Sequence, residues 1–504
     1  MALPPPPSLP STLRDPKSLF FQQDGIRRAI IASYWALIIL ALPLWWYTTS
    51  IERLSLPSTR IQQLAHNHLE LPIKICLETR EGTLVEQVKS QLLAGKSQDP
   101  LRWKGLAPEV IGSADCGKYA ESGAYIVKFK SGTPMSINDR ELHIPSSSEY
   151  TSALANTLTS LIAPYSASSD PDNRVVQYSP HYRLAFSLLN EDAAAGDAVL
   201  GWNIQAAIRK YINPITQRLS ALHNFTVESQ VQFHAPLAFL PRQLDDVYGI
   251  EPADLTVFVN SAEWTLSSSS SNDPVLHFIL FIPSSQRRPL RILLNDGKSR
   301  DSTAFLLPQW GGIVIHNPPT PTDAALPSQA LHIVFSSFAN QLSSLLGIPV
   351  LPNNIDQHSD AGVSDWQLDA LTRRRTLENA EGSRDTLLSI VKLVNQIENM
   401  PVGPDVRDDV EGALSAFHTM SESASSSLAQ AFAYSAQSFV LASRAFFSPG
   451  MLALLYFPAE HTYAVYSPLF ASALIPLLVA ALREYLAWKR ERKEKLERER
   501  EKRE

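Results

Sequence analysis

Cysteine and histidine are the residues of this 504-residue chain that could do nucleophilic chemistry. A thiol becomes a nucleophile when a base lies within hydrogen-bond distance or when another group lowers its pKa. The surroundings of Cys116 lack the Gln-Ala-Cys pattern of caspase-like proteases. The sequence places no base beside this thiol, so we expect no catalytic cysteine. The histidines considered as bases are His143, His181, His223 and His234.

Residues 295–299 end in Gly297-Lys298-Ser299, as a phosphate-binding loop does. Such a loop needs a second glycine where this chain has Ile292, so the cradle of backbone amides is incomplete. An Asp-Gly turn explains the segment better. The chain also lacks a nucleophile elbow, a His-Glu-x-x-His motif and zinc-like cysteine spacing. We therefore expect no catalytic residue, no cofactor site and no metal site.

The two cysteines and one glycosylation sequon indicate the compartment instead. Cys76 and Cys116 could form a disulfide in an oxidising lumen, and their spacing neither requires nor forbids it. Two unpaired, buried thiols are the alternative. Asn224-Phe225-Thr226 is a sequon and makes Asn224 a candidate glycosylation site in a lumenal segment. The formal net charge of −6 excludes a basic surface, so nucleic acid is not an expected partner.

Two apolar stretches, at residues 29–47 and 465–486, predict membrane spans near the two ends of the chain. About 20 apolar residues in a helix cross a hydrocarbon core of about 30 Å. The first stretch is too long, and begins too late, for a signal peptide. Pro468 and Pro476 interrupt the second, for which a buried helix is the alternative, but spanning helices accommodate proline.

The charges that flank these stretches predict their orientation. Arg27 and Arg28 precede the first stretch, and Lys489-Arg490 begins a charged tail after the second. The inner flanks contain fewer basic residues. The positive-inside bias therefore places both termini in the cytoplasm and the middle of the chain in the lumen.

The predicted fold class is a mixed α/β lumenal body with a helical C-terminal part, flanked by one transmembrane helix at each end. Alternating helix-like and strand-like segments predict βαβ units in the first part of the body. Short strands predict a mainly antiparallel region next, closed by a helix, and the last part should contain a long Ala- and Ser-rich helix. The predicted segments are a cytoplasmic tail at 1–28, a first span at 29–49, a lumenal domain at 50–464 with parts at 57–245, 246–350 and 363–447, a second span at 465–487 and a cytoplasmic tail at 488–504.

Within the body, apolar periodicity predicts individual elements. The strands are expected at 72–77, 124–130, 182–189 and 226–233, and the helices at 60–68, 83–93, 150–162, 198–222 and 328–346.

Several short segments, taken in order, form a recognisable set. They are Leu42-Pro43-Leu44-Trp45-Trp46, Pro308-Gln309-Trp310-Gly311-Gly312, Trp366-Gln367-Leu368-Asp369, Arg373-Arg374-Arg375 with Glu378-Asn379, Thr386-Leu387-Leu388-Ser389, Ile397-Glu398-Asn399-Met400-Pro401, Ala445-Phe446-Phe447-Ser448-Pro449 and Leu455-Tyr456-Phe457-Pro458-Ala459-Glu460-His461. In order and position they resemble the class S (PIG-S) subunits of glycosylphosphatidylinositol (GPI) transamidase.

The resemblance implies a non-catalytic subunit of the endoplasmic-reticulum complex that attaches GPI anchors to the C-terminus of precursor proteins. In that complex the thiol nucleophile belongs to another, caspase-like subunit, so no catalytic residue is carried over. The implied partners are the other membrane subunits, the caspase-like one included, and membrane lipid. Two alternatives stay open: a lumenal module that binds cargo or lipid, and a lumenal hydrolase or transferase whose site forms only on folding.

Two of these segments suggest roles for particular residues. Aromatic side chains after residue 455 lie beside the second span and form a candidate membrane-proximal interface, with packing on the chain's own helices as the alternative. Trp310-Gly311-Gly312 is expected to be a turn that defines the fold, in which glycine relieves a steric limit. The interface candidates are Tyr456, Phe457, Tyr463 and Tyr466.

Overall fold

The structure is a computed structural model, and it divides into two compact units. The central unit comprises residues 58–388 and 410–443, and the terminal unit comprises 1–57, 389–409 and 444–504. The residues described are 24–49, 52–65, 69–120, 123–130, 134–146, 148–165, 175–244, 247–266, 271–300, 302–319, 324–357, 362–397, 400–452 and 459–501.

Helices lie in both units, and a π-helical turn at Ile208–Ile212 joins two of them. The helices are α1 (Asp24–Thr49), α2 (Ser58–Leu64), α3 (Gly82–Gln98), α4 (Gly117–Ala120), α5 (Ser148–Ile162), α6 (Ile204–Ala207), α7 (Asn213–Arg218), α8 (Ser328–Leu346), α9 (Asp365–Gln396), α10 (Pro404–Ser423), α11 (Leu428–Phe446), α12 (Pro449–Leu452) and α13 (Ala459–Glu501).

The strands belong to the central unit. They are β1 (Leu71–Glu78), β2 (Leu106–Ser113), β3 (Tyr125–Lys130), β4 (Ser136–Asn138), β5 (Glu141–Pro145), β6 (His181–Asn190), β7 (Val199–Gly201), β8 (Asn224–Gln232), β9 (Arg242–Leu244), β10 (Val247–Ile250), β11 (Val275–Ile282), β12 (Leu290–Ile292), β13 (Ala304–Leu307), β14 (Gly311–Ile315), β15 (Ala324–Ala325) and β16 (Asp356–Gln357).

The first large sheet has the order β16-β4-β5-β3-β1-β2. Strand β1 pairs in parallel with β2 and β3, and only the short β4–β5 pair is antiparallel. Helix α3 connects β1 to β2 and buries Leu84, Val88 and Leu92, which recur at helical spacing on one face. This arrangement is the βαβ unit that the alternating pattern predicts.

The second large sheet has the order β13-β14-β11-β6-β8. Strand β11 pairs in parallel with β6 and β14, and β6 pairs in parallel with β8. The prediction of a mainly antiparallel region after residue 245 is therefore wrong, because β11 and β14 join the same sheet as β6 and β8. Strand β11 is apolar at nearly every position and buried on both faces, which is typical of a central parallel strand.

A ring cluster fills the space between this sheet and α8. Phe186 stacks on Phe278 with ring centroids 5.1 Å apart, and Phe335 and Phe338 of α8 pack against both strands. The opposite face of β11 buries Ile279 and Phe281 in a separate apolar cluster.

Two predicted helices differ from the structure. The helix expected at 198–222 begins only at Ile204, because residues 199–201 form β7 and the side chain of Asn203 caps the helix by accepting from the Ala206 amide. The long helix expected after residue 405 is two helices, α10 and α11. Helix α11 begins at a cap in which the Ser427 hydroxyl accepts a hydrogen bond from the Gln430 amide.

The terminal unit contains two helices long and apolar enough to cross a membrane. Their candidate spans are Gly25–Trp45 in α1 and Ala464–Arg500 in α13, and neither span is buried. The two helices contact each other: Arg27 and Arg28 donate to the two carboxylate oxygens of Glu484, and the ring of Trp45 packs on Phe470 at 5.3 Å. Two backbone hydrogen bonds fix the segment after α1. The Leu54 amide donates to the Val402 carbonyl, and the Val402 amide donates to the Glu52 carbonyl.

Candidate functional site

The two cysteines are joined in a disulfide in this structure. Cys76 lies in β1 and Cys116 precedes α4, with Cα atoms 5.8 Å apart. Both are buried and pack with Ile126 and Tyr119. A bonded sulfur cannot act as a thiolate, so neither cysteine is a nucleophile in this state.

The histidines considered as bases lie in unrelated surroundings. His143 contacts the carboxylate of Glu141 on β5, and burial lowers the pKa of His223 to about 4. His277 is not among these candidates, but burial also lowers its pKa to about 4, and its ring stacks on Trp310 at 4.6 Å. Neither buried ring has a cysteine among its described contacts. Among the described residues, no group of three or more His, Cys, Asp or Glu side chains could hold a metal ion.

The sequon is accessible. Asn224 begins β8, the strand at one edge of the second sheet, and its side chain is exposed. Thr226 is also exposed. The backbone amide of Asn224 donates to the Pro180 carbonyl, and the residue itself is exposed.

The aromatic interface candidates are only partly covered by the structure. Tyr456 and Phe457 lie outside the described residues, and Tyr463 lies in α13, where its side chain is also outside the description. Tyr466 packs edge-on against Trp45 of α1, with ring centroids 5.9 Å apart. Its described contact is therefore with the chain's own helix, and a role of these residues at an interface stays a prediction.

Helix α9 begins with a reciprocal cap. The hydroxyl of Ser364 accepts from the Gln367 amide, and the side-chain oxygen of Gln367 accepts from the Ser364 amide. This pair satisfies two backbone groups that a helix start leaves without partners. Trp366, which lies between the two capping residues, is fully buried and packs on the ring of Tyr125 with ring centroids 4.2 Å apart. The cap and the ring fix the start of α9 against the first sheet.

One turn later, Asp369 connects three elements. Its carboxylate accepts two hydrogen bonds from Arg140, at 2.7 and 3.0 Å, and one from the Tyr125 hydroxyl at 2.8 Å. The same hydroxyl accepts a hydrogen bond from Arg373 at 2.6 Å. Burial raises the pKa of Tyr125, so the phenol stays protonated and donates to Asp369. A bidentate guanidinium and a buried phenol hold this carboxylate in one position.

The arginines that follow are also used in packing. Arg375 is buried and donates to the Val176 and Leu346 carbonyls, both at 3.1 Å, the second at the end of α8. A cation at a helix C-terminus interacts favourably with the helix dipole. The guanidinium of Arg374 lies 4.4 Å from the ring centre of Tyr165. The Tyr165 hydroxyl in turn donates to the Gly347 carbonyl. The arginines of α9 therefore contact the end of α8 both directly, through Arg375, and through Tyr165.

The turn that closes the β13–β14 hairpin lies at residues 308–310, and Gly311 and Gly312 begin β14. A Cβ atom on Gly311 would lie 2.0 Å from the His277 carbonyl oxygen, and one on Gly312 would lie 2.1 Å from the Gln341 side chain. Glycine is required at Gly311, where the backbone of β11 approaches closely, and a larger residue at Gly312 would displace the buried Gln341 side chain of α8. The expected turn therefore lies at 308–310 and not on the two glycines, whereas the steric limit expected at the glycines is present.

A cleft of about 640 Å³ lies beside the arginine face of α9. The loop at residues 101–106, the end of α5 and Phe417 of α10 form its other walls. Arg102 crosses from the loop to α5 and donates to the Ala163 carbonyl at 2.5 Å. Gly105, in the left-handed region at φ +72°, brings this loop against Leu377. Charged side chains from α9 and from this loop converge on the cleft.

Sequence comparison identifies the family. The family model described as phosphatidylinositol-glycan biosynthesis class S protein matches residues 32–491. The chain belongs to the PIG-S family. The PIG-S homolog of Schizosaccharomyces pombe, a GPI transamidase component, is 30% identical over 505 residues, which cover 94% of this chain and 86% of that protein.

Mammalian relatives match over a similar length. The GPI-anchor transamidase component PIGS of Homo sapiens is 30% identical over 517 residues, covering 89% of this chain and 93% of that protein. The corresponding component of Bos taurus is 29% identical over 540 residues, covering 93% of this chain and 97% of that protein. The PIG-S resemblance of the short segments is thus confirmed over nearly the whole chain.

In this member of the PIG-S family, segments that carried the resemblance are explained by packing. Trp366, Asp369 and Arg375 lie in the network that fixes α9, and Gly311 and Gly312 permit close approach of the backbone. Sequence reasoning missed their partners Tyr125, Arg140 and Tyr165, which are more than 200 positions away along the chain. It also missed Arg102 and the cleft. An isolated tyrosine or arginine in a loop gives no signal of its partner.

Proposed function

We propose that this chain is a non-catalytic subunit of the GPI transamidase complex, which attaches GPI anchors to the C-terminus of precursor proteins. The observation that carries the proposal is similarity over nearly the whole chain to proteins named as components of that transamidase. The described structure supports a non-catalytic role. Its cysteines are bonded to each other, and Asp369 and Arg375 of α9 are engaged in packing.

The proposed setting is the endoplasmic-reticulum membrane. The two apolar helices α1 and α13 would span it, with both termini in the cytoplasm and residues 50–464 in the lumen. Basic residues at the outer flanks support this orientation, and a disulfide and an exposed sequon suit an oxidising lumen. The proposed partners are the other membrane subunits, including the caspase-like catalytic one, and membrane lipid.

Replacement of the endogenous subunit tests the function. Cells that lack it should lose a GPI-anchored reporter from their surface, and this chain carrying an affinity tag should restore the reporter and co-purify with the other subunits in mild detergent. A chain that purifies alone would contradict the proposal. A double Cys76→Ser/Cys116→Ser variant should still support anchoring, although with lower stability. If that variant stays folded but anchoring stops, a thiol-dependent enzyme becomes the better explanation.

Glycosylation tests the orientation. Asn224→Gln and Thr226→Ala should each remove one glycan and produce the same downward shift on a gel as glycosidase treatment. Thr256→Ala, on an exposed hydroxyl outside any sequon, is the matched control and should produce no shift. If the gel mobility of the wild-type chain does not change on glycosidase treatment, the sequon gives no support to a lumenal position of β8. Protease protection in sealed microsomes would then decide the orientation.

A further inference from the structure

We infer that the cleft beside α9 binds an extended peptide segment that carries a carboxylate next to an apolar side chain, contributed by another subunit of the complex. The source assigned to the peptide rests on the proposed function, whereas the chemistry of the cleft rests on its own residues. Its volume of about 640 Å³ is in the usual range of ligand-binding pockets.

The charge of the cleft is unbalanced. Five basic and three acidic residues line it, a formal net charge of +2. The basic residues are Arg102, Lys104, Arg373, Arg374 and Arg384, and the acidic residues are Glu70, Glu378 and Glu381.

The acidic residues already have cationic partners within the chain. Glu381 accepts from Lys104 at 2.9 Å, and Glu378 accepts from Arg374 at 2.6 Å. Glu70 lies 3.7 Å from Lys96. The positive charge left over therefore belongs to the remaining arginines of the cleft.

Arg102 and Arg373 carry that excess. Among the described residues neither has a carboxylate within 4.0 Å, and both donate to carbonyl groups at the end of α5. Arg373 is only 4% exposed, and its Nε has no hydrogen-bond partner in the described structure. That Nε is shielded from solvent, so a ligand oxygen in the cleft is attracted by the charge of Arg373, whereas the half-buried Arg102 is the more accessible of the two donors.

The remaining surface of the cleft is apolar. Leu106, Leu377 and Phe417 line it, and Leu101 stands at its edge with 68% of its surface exposed. An apolar wall beside two uncompensated guanidinium groups matches a carboxylate flanked by a hydrophobic side chain. A ligand with several negative charges, such as a phosphorylated headgroup, would bring more charge than the net +2 of this lining balances.

Photo-crosslinking in the assembled complex tests the inference. The photoreactive residue p-benzoylphenylalanine is placed at Leu101, and the tagged complex is irradiated in mild detergent and examined by mass spectrometry. We expect one crosslinked peptide from another subunit, with Asp or Glu within a few residues of the attachment point. The matched control is the same residue at Leu240, which is 81% exposed and outside the cleft, and it should not capture this peptide.

A charge variant makes the test specific. Arg102→Gln keeps a donor for the Ala163 carbonyl and removes the charge, so the crosslink yield should fall about tenfold or more while the melting temperature stays within a few degrees. Arg209→Gln, at an exposed arginine outside the cleft, should leave the yield unchanged. Crosslinks to lipid, to a peptide without acidic residues, or to a peptide whose yield ignores Arg102→Gln would overturn the inference. If other subunits co-purify but the residue at Leu101 captures none of them, the inference about the cleft fails and the proposed function stands. If no other subunit co-purifies, the proposed function itself fails.

Discussion

Helices α9 and α13 are the two longest helices described, and they distribute polar and apolar side chains in opposite ways. In the central unit, α9 buries polar residues such as Asp369, Arg375 and Ser383. In the terminal unit, α13 exposes apolar residues such as Leu469 and Leu482. Polar groups can be buried when folding supplies a partner for each, as it does for Asp369. Exposed leucines in a row indicate an environment other than water.

Burial alone therefore does not describe what stabilises each helix. Helix α9 depends on particular hydrogen bonds with distant segments, so its tolerance to substitution should be low at a few positions. If α1 and α13 span a membrane as proposed, they depend on nonspecific apolar surroundings. Single apolar exchanges there should then matter little, and charges should matter greatly.

Removing the carboxylate of α9 should have the largest effect. Asp369→Ala leaves buried Tyr125 without its acceptor and Arg140 without its ion pair, and we expect a loss of about 3–5 kcal/mol in the free energy of unfolding. Chemical denaturation of the full chain in detergent measures it. Asp385→Ala, at an exposed pair on the same helix, should cost less than about 1 kcal/mol. Equal losses for the two variants would contradict the role given to this network.

A charge in α1 should have a comparable effect on a different process. Leu37→Arg is expected to disfavour membrane insertion by about 3 kcal/mol, because a charge at the centre of a span is poorly solvated. Resistance to alkaline carbonate extraction and the insertion of α1 in microsomes measure this. Leu37 is 64% exposed and Leu240 of the central unit is 81% exposed, so Leu240→Arg is the matched control and should insert normally. If both variants insert normally, α1 is not a membrane span.

Acid should weaken the central unit in a defined range. Burial lowers the pKa of His223 and His277 to about 4, against 6.5 in the unfolded chain. Between these values the unfolded chain binds protons that the folded chain does not, so stability is full above pH 6.5 and declines as the pH falls to 4. The loss should be on the order of 2–3 kcal/mol for each histidine.

Melting temperatures between pH 7 and pH 4 check this decline. Gln in place of both histidines should make the curve flatter over this interval, whatever it does to the stability at pH 7. The apolar segments of α1 and α13 contain no histidine, so their insertion should not change over the same range. An unchanged slope in the double variant would assign the acid sensitivity to other groups.

The smallest effect is expected where α9 touches α11. The hydroxyl groups of Ser383 and Ser438 lie 2.5 Å apart and are fully buried. Ser383→Ala should cost about 1 kcal/mol, because Ser438 keeps its bond to the Ala413 carbonyl. Ser90→Ala, at an exposed helical serine, should change stability by less than about 0.5 kcal/mol. A larger loss at Ser90 would show that helix propensity rather than the buried contact is being measured.

Local periodicity was sufficient to predict many of the elements. Strands β1, β3, β6 and β8 and helices α3, α5 and α8 lie where apolar spacing places them. Strand direction was not predictable in the same way. A short apolar run such as β14 fits either a hairpin or a parallel sheet, and its direction is decided by contact with β11, a strand 36 positions earlier.

The candidate site was less accessible to sequence reasoning. The helical spacing of residues 373–375 shows only that they share about one turn of a helix. That Arg375 reaches the end of α8 and Arg373 meets Tyr125 depends on how separate segments pack in three dimensions. The excess charge of the cleft emerges only after every internal ion pair has been assigned.

The length of α13 has a mechanical consequence. Its 43 residues make a rod about 65 Å long, roughly twice the thickness of a hydrocarbon core. If its apolar part lies in a bilayer, the charged segment from Lys489 onward continues as a stiff arm about 20 Å into the aqueous phase. Pro468 and Pro476 lie inside the helix, and a proline there removes a backbone hydrogen bond and favours a kink. A protein that bound this arm and tilted it would therefore bend α13 first at Pro476, within the apolar part.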